Sequence, residues 1–288
     1  MPVDMPVRLE LASWVITQLL LVAVGMDLRV ADFRSVRERP GMIAAGVLLP
    51  PLLLPWVALA LVGLLHPSPA AARGLLLLTA CPIGGIATTY SMLARANPAL
   101  SVSLAATSCL TALLTMPLVL TGLDLAGGGW QATPAVTLLH HLAVLLAPPI
   151  VVGMGVRAVW PDWAARRQPH VQGLAFVLVV VLLAGLIAGA TRSAEFGWRS
   201  ALLLALAFVV VAFVLGGLSA VLLGGTPADR FTFAAEFGTR NVAIGLAASL
   251  AMGMARDFAW LGALYLAVEI PFMLTAALLH RRLQARDS

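Results

Sequence analysis

Three ionisable residues lie deep within apolar runs of this 288-residue chain: Glu236, Arg240 and Glu269. A bare charge at the centre of a bilayer costs at least ~2.5–3.5 kcal/mol, so each needs a partner or a wet cavity. Glu236 and Arg240 are four residues apart and flank Gly238; with Thr239 and Asn241 they interrupt the run that starts at Phe231. A carboxylate and a guanidinium at that spacing can pair across one helical turn or across an unwound stretch. The pair reads either as a salt bridge that holds the break together or as a specific site, and the two readings can coexist. Glu269 precedes Pro271, which removes a backbone donor and kinks a helix. If Arg240 neutralises Glu236, Glu269 is the carboxylate left over. In apolar surroundings such a group tends to hold a proton, which makes it a candidate proton-coupling residue. The plainer alternative is a Glu near enough to the interface to reach water.

A second apolar run, in the other half of the chain, is interrupted by Pro82, Gly84 and Gly85 directly after Cys81. Breaking a helix in lipid frees backbone groups that cost several kcal/mol apiece unless satisfied. A pair of such breaks, one per half, is the sequence pointer to a transporter binding site. Pro82, Gly85 and Gly238 are the expected break points. The hydroxyls near the first break, Thr88, Thr89 and Ser101, join Gly84, Gly85, Glu236, Thr239, Arg240, Asn241 and Glu269 as candidates for holding a substrate or ion. Other Ser and Thr residues of these runs are expected to bond helix carbonyls. No nucleophile–base pair, phosphate loop or metal-ligand spacing is present, so no enzyme is expected and no metal or cofactor site is assigned. Cys81 and Cys109 form no disulfide framework.

The elements that must position these residues are membrane helices. The chain is 61% apolar and 11% charged, with mean hydropathy +0.98. That composition excludes a soluble domain of this size. The expected class is all-α and polytopic, a single transmembrane domain over residues 1–288 with the lipid bilayer as its main partner. Hydropathy predicts nine spans, at about 9–26, 41–65, 74–93, 99–123, 136–156, 171–190, 201–223, 231–252 and 258–279. The start of the chain lacks the layout of a cleavable signal, so the first span is expected to stay as an anchor.

All 18 basic residues are Arg, which fits a GC-rich bacterial origin. The net charge of +5 does not point to nucleic acid, because the arginines cluster at span ends. Threading nine spans puts twelve of them, Arg29 and Arg39 through Arg281 and Arg286, on one side and Arg8, Arg73, Arg192, Arg199 and Arg256 on the other. This asymmetry orients the C-terminus to the cytoplasm and the N-terminus outside, as a multi-pass protein of a bacterial plasma membrane. The two broken spans then run antiparallel, as an inverted repeat requires.

Several stretches together resemble the bile acid:sodium symporter family over nearly the full length. They are Gly25-Met26-Asp27-Leu28 with Asp32-Phe33-Arg34, Arg39-Pro40, Cys81 to Gly85, Leu93-Ala94-Arg95, Ala99 to Ser103, and Glu236-Phe237-Gly238-Thr239-Arg240-Asn241. The resemblance implies a core bundle (about 41–123 and 201–279), in which the third and eighth spans cross at their breaks. A smaller panel would comprise about 9–26, 136–156 and 171–190. It implies alternating-access carriage of a small organic anion, bile-acid-like or another carboxylate or sulfate, with sodium. Departures stand at the sodium-site positions: Ala87 and Thr88 replace a Ser-Asn pair, Ala105 a hydroxyl, Pro50 and Arg240 each a Gln, and Glu269 a His. Glu236, Ser101 and Asn241 survive. A guanidinium supplies no oxygen ligand, so Arg240 is expected to substitute for sodium, or to grip the substrate's anionic group. Competing expectations are an arsenite or metalloid efflux carrier using Cys81, and a membrane sensor that binds without transporting.

Overall fold

The computed structural model describes residues 37–125, 135–188 and 197–287, together with parts of a helix between positions 15 and 26. The described chain is all-helical. Long helices are α1 (Pro40–Leu65), α4 (Pro98–Leu125), α5 (Ala135–Val159), α6 (Pro161–Ala188), α7 (Trp198–Leu222) and α10 (Ala255–Asp287); between them lie four short ones, α2 (Pro69–Ala80), α3 (Ile86–Leu93), α8 (Pro227–Gly238) and α9 (Val242–Ala251). Among the described residues, α1, α4, α7 and α10 are long and apolar enough to cross a bilayer. On α7, Leu203, Leu206, Val210, Val214, Leu218 and Val221 are exposed while Leu204, Phe208, Val209, Ala212 and Gly216 are buried. A helix apolar on both faces belongs in lipid.

Proline sets where helices begin and stop. α2 and α8 each carry Pro in the first turn, where the missing N–H is no loss. The hydroxyls of Ser68 and Thr226 cap them, accepting from Ala71 N and Asp229 N. Both half-helices are 12 residues long. Each is followed by a break and then a shorter helix of 8 or 10 residues. The halves therefore repeat one local design although their residues differ. Hydropathy placed these segments at 74 and 231, several residues late. Arg73 in α2 and the Pro227–Arg230 turn of α8 lower the hydropathy at those starts, as the polar residues 161–170 do for α6, whose span is predicted at 171–190. The Asp27 to Arg34 part of the family resemblance lies outside the described residues.

Two polar contacts tie the outer ends of the half-helices. Arg73 on α2 meets Asp257 at the start of α10, Nε donating to Oδ2 at 2.9 Å. At the start of α8, the buried Asp229 accepts from Arg39 Nη1 at 2.9 Å, Asn97 Nδ2 at 2.8 Å and Thr226 Oγ1 at 2.8 Å. Each contact joins helix ends that the threading assigns to one side. Burial alone would raise the Asp229 pKa, but the hydrogen bonds from Asn97, Thr226 and Arg39 outweigh it and hold the carboxyl below its ordinary value. A depressed pKa gives stability that is present above the ordinary Asp range and lost as pH falls through the lowered value. Asp229→Asn is expected to lower the Tm at neutral pH, with the gap from the parent closing toward acid. Thermal unfolding in detergent across pH checks this, and a gap independent of pH contradicts it.

Candidate functional site

The site is assembled where the two breaks meet. Cys81 precedes Pro82, which biases it to extended backbone; its φ and ψ are −67° and 146°. Thr239 leaves α8 at φ −109° and ψ 109°. These extended segments lie antiparallel and bridge at Ile83 and Arg240. Gly84 N donates to Thr239 O at 3.1 Å, and Asn241 N to Pro82 O at 2.9 Å. Gly84 suits this approach: a Cβ there would lie 3.1 Å from both Arg240 O and Thr239 Cγ2, so a neighbour would have to give by a few tenths of an ångström.

Side chains satisfy the remaining freed backbone groups. Ile83 N donates to Ser108 Oγ at 3.1 Å. Tyr265 Oη accepts from Arg240 N at 2.7 Å and donates to Gly238 O at 2.6 Å, so one hydroxyl spans the second break. Asn241 caps α9, its Oδ1 accepting from Ile244 N. The polar groups expected to be costly in lipid are thus nearly all paired, which is why the breaks persist.

The three ionisable residues are all buried here: Glu236 is 0%, Arg240 3% and Glu269 0% exposed. Arg240 and Glu236 do not form the direct ion pair their spacing suggests. The guanidinium instead donates to two main-chain oxygens, Glu236 O through Nη2 and Cys81 O through Nη1 at 3.5 Å. The helix ends at Gly238, so Arg240 folds back from an extended strand instead of standing one turn above Glu236. The Glu236 carboxylate accepts from Ser101 Oγ, which also bonds Thr88 Oγ1. Among the described residues, two atoms at this centre have no hydrogen-bond partner: Glu236 Oε2 and Arg240 Nε.

Glu269 does not reach the interface. Its Oε1 accepts from Thr239 Oγ1 at 2.9 Å and its Oε2 from Tyr90 Oη at 3.3 Å, both contacts buried. Of the candidates, Gly84, Glu236, Thr239, Arg240, Asn241, Ser101, Thr88 and Glu269 converge on the crossing, while Thr89 is exposed on α3. Gly85 caps the start of α3, and Gly238 ends α8. The Cys81 thiol is buried and donates to Leu77 O. Sequence reasoning missed Tyr90, Ser108 and Tyr265. A signal existed for the tyrosines: the chain has two, and both fall inside apolar runs rather than at the interfacial belt where Tyr concentrates in membranes.

A helical chain with bilayer-length apolar helices and paired interrupted helices is a multi-pass membrane protein. Residues 15–195, more than half the chain, match the Sodium Bile acid symporter family. The chain belongs to that family, which places it among transporters and not enzymes. It is 26% identical over 236 residues to the uncharacterized sodium-dependent transporter YocS of Bacillus subtilis, covering 81% of this chain and 72% of that one. It is 27% identical to the probable sodium/metabolite cotransporter BASS1, chloroplastic, of Arabidopsis thaliana, covering 81% and 58%. A sodium-dependent organic anion transporter of Homo sapiens is 26% identical, covering 83% and 66%. The chain thus spans less than two thirds of the plant relative's length.

Proposed function

We propose that this protein carries a small organic anion across a bacterial plasma membrane by alternating access, with Arg240 taking the place of a bound sodium ion. The observation that carries the reading is the seat of the guanidinium, on carbonyls at the C-terminal ends of both leading half-helices, Cys81 and Glu236. Helix C-terminal ends and unwound carbonyls are where carriers of this kind coordinate a cation. A guanidinium seated on those oxygens puts a fixed positive charge where a sodium ion would have to sit and supplies no oxygen ligand itself, so the residues do not fit one there. Arg240 Nε, buried and without a partner among the described residues, is left to meet an anionic group of the substrate.

In this reading the chain makes nine spans as an inverted repeat, N-terminus outside and C-terminus cytoplasmic. The half-helices, α1, α4, α7 and α10 form the core; the first helix, α5 and α6 form the panel. The matched capping of α2 and α8 and the Arg asymmetry support this arrangement. Uptake of a labelled bile acid and a labelled short monocarboxylate into proteoliposomes tests it. Uptake of at least one should persist when choline replaces sodium; strict dependence on sodium would refute the tethered-cation reading.

A further inference from the structure

We propose that Glu269 is the binding site of a transported or exchanged proton, and that its two hydroxyl partners convert protonation into a change at the crossing; this rests on the transporter reading above and names its coupling ion. Glu269 is completely enclosed. Its hydrogen-bond partners are the hydroxyls of Tyr90 and Thr239, and among the described residues no guanidinium lies within ion-pair distance of it. Arg240, the nearby cation, spends its terminal nitrogens on the carbonyls of Cys81 and Glu236. A buried carboxylate without a cation is costly. Two hydroxyl oxygens and a carboxylate fall short of the five or six oxygens a sodium ion takes. A proton needs no such shell.

Among the described residues, the elements packed around Glu269 bring no charge to it besides Arg240, whose terminal nitrogens are held by carbonyls. The titratable groups facing Glu269 are Tyr90 of α3 and Tyr265 one turn earlier on its own helix. α3 and α9 contain no charged residue, and α7 has only Arg199 at its start. The one charge on α2, Arg73, is held by Asp257. On α8, Asp229 and Arg230 lie at the far end, and Glu236 is turned to Ser101. The charges of α6 fall within its first ten residues.

The arrangement couples protonation to geometry. Ionised, Glu269 accepts from both hydroxyls and ties α10 to α3 and to the second break at once. Once a proton from water settles on one oxygen, that oxygen becomes a donor. Its hydroxyl partner must then rotate to accept or let go. Loading or unloading a single proton therefore remakes one of the two ties at the crossing, and the proton departs to the opposite solution when that side opens.

Infrared difference spectroscopy on the purified full chain tests this with the proton as the only ligand. As pH falls from about 9 to about 5, the parent should gain the carbonyl-stretch band of a buried protonated carboxyl. Glu269→Gln should lose that band, Glu236→Gln should keep it, and Tyr90→Phe should shift its frequency. The proposal is overturned by no titrating band in the parent or by the same band persisting in Glu269→Gln. If Glu269→Gln does not fold, an unshifted band in Tyr90→Phe overturns it. Because no substrate or flux enters the measurement, its failure is distinguishable from a failure of the organic-anion reading.

Discussion

Arg240→Gln is expected to cut sodium-free uptake at least about tenfold, equivalent to ~1.4 kcal/mol. The guanidinium holds carbonyls from two different half-helices in a buried site. Hydrogen bonds to a charged group are worth roughly 1.5–3 kcal/mol each, and leaving buried acceptors bare costs as much again. Glutamine reaches at most one of the two oxygens and brings no charge. It does restore a side-chain oxygen and vacate the cation's place, so external sodium should recover part of the lost uptake in this variant while doing little for the parent. Arg240→Lys keeps the charge but loses the planar fork, and should fall between the two. Initial rates in proteoliposomes with sodium or choline decide the matter. Parental rates in Arg240→Gln would show that the guanidinium is structural decoration.

The second large effect is on folding. α7 and α8 approach so closely that a Cβ on Gly216 would run into Phe233 O and lie 2.8 Å from Phe237 Cβ. Backbone cannot yield as a side-chain tip can. Small residues at such contacts let membrane helices pack closely, and overfilling them costs typically 1–3 kcal/mol or more. Gly216→Ala should lower the Tm sharply and reduce the yield of monodisperse protein. Its neighbour supplies the control: a Cβ on Gly217 meets Ala234 Cβ at 3.7 Å and Arg230 O at 3.8 Å, ordinary contacts. Gly217→Ala should therefore be tolerated. Equal losses in the two variants would mean that generic helix effects, not the contact with α8, set the stability here.

The elements that were legible in the residues share one property: they violate the expectations of an uninterrupted apolar helix. Pro82 with Gly84 and Gly85, and the charges around Gly238, stand out against their surroundings, so both breaks and the buried Glu236, Arg240 and Glu269 could be named in advance. Partnerships were harder. The i to i+4 spacing of Glu236 and Arg240 implies a shared helical face, but the helix stops between them, so the side chain finds carbonyls instead of the carboxylate. Thr88 and Thr89 are adjacent and chemically alike; only the packing of α3 decides that one meets Ser101 and the other is exposed. Tyr90 and Tyr265 pass as apolar aromatic bulk until their hydroxyls have partners. The ring of donors around Asp229 comes from positions as far as 190 residues away, a distance no local pattern reports.

The backbone bonds between Gly84 and Thr239 and between Asn241 and Pro82 have a mechanical corollary. Stitched on both sides of one bridge, the two breaks form one seam that cannot part without losing those backbone bonds. On the alternating-access proposal, cargo would pass beside that seam, where neighbouring helices meet through side chains and no peptide bonding has to be broken.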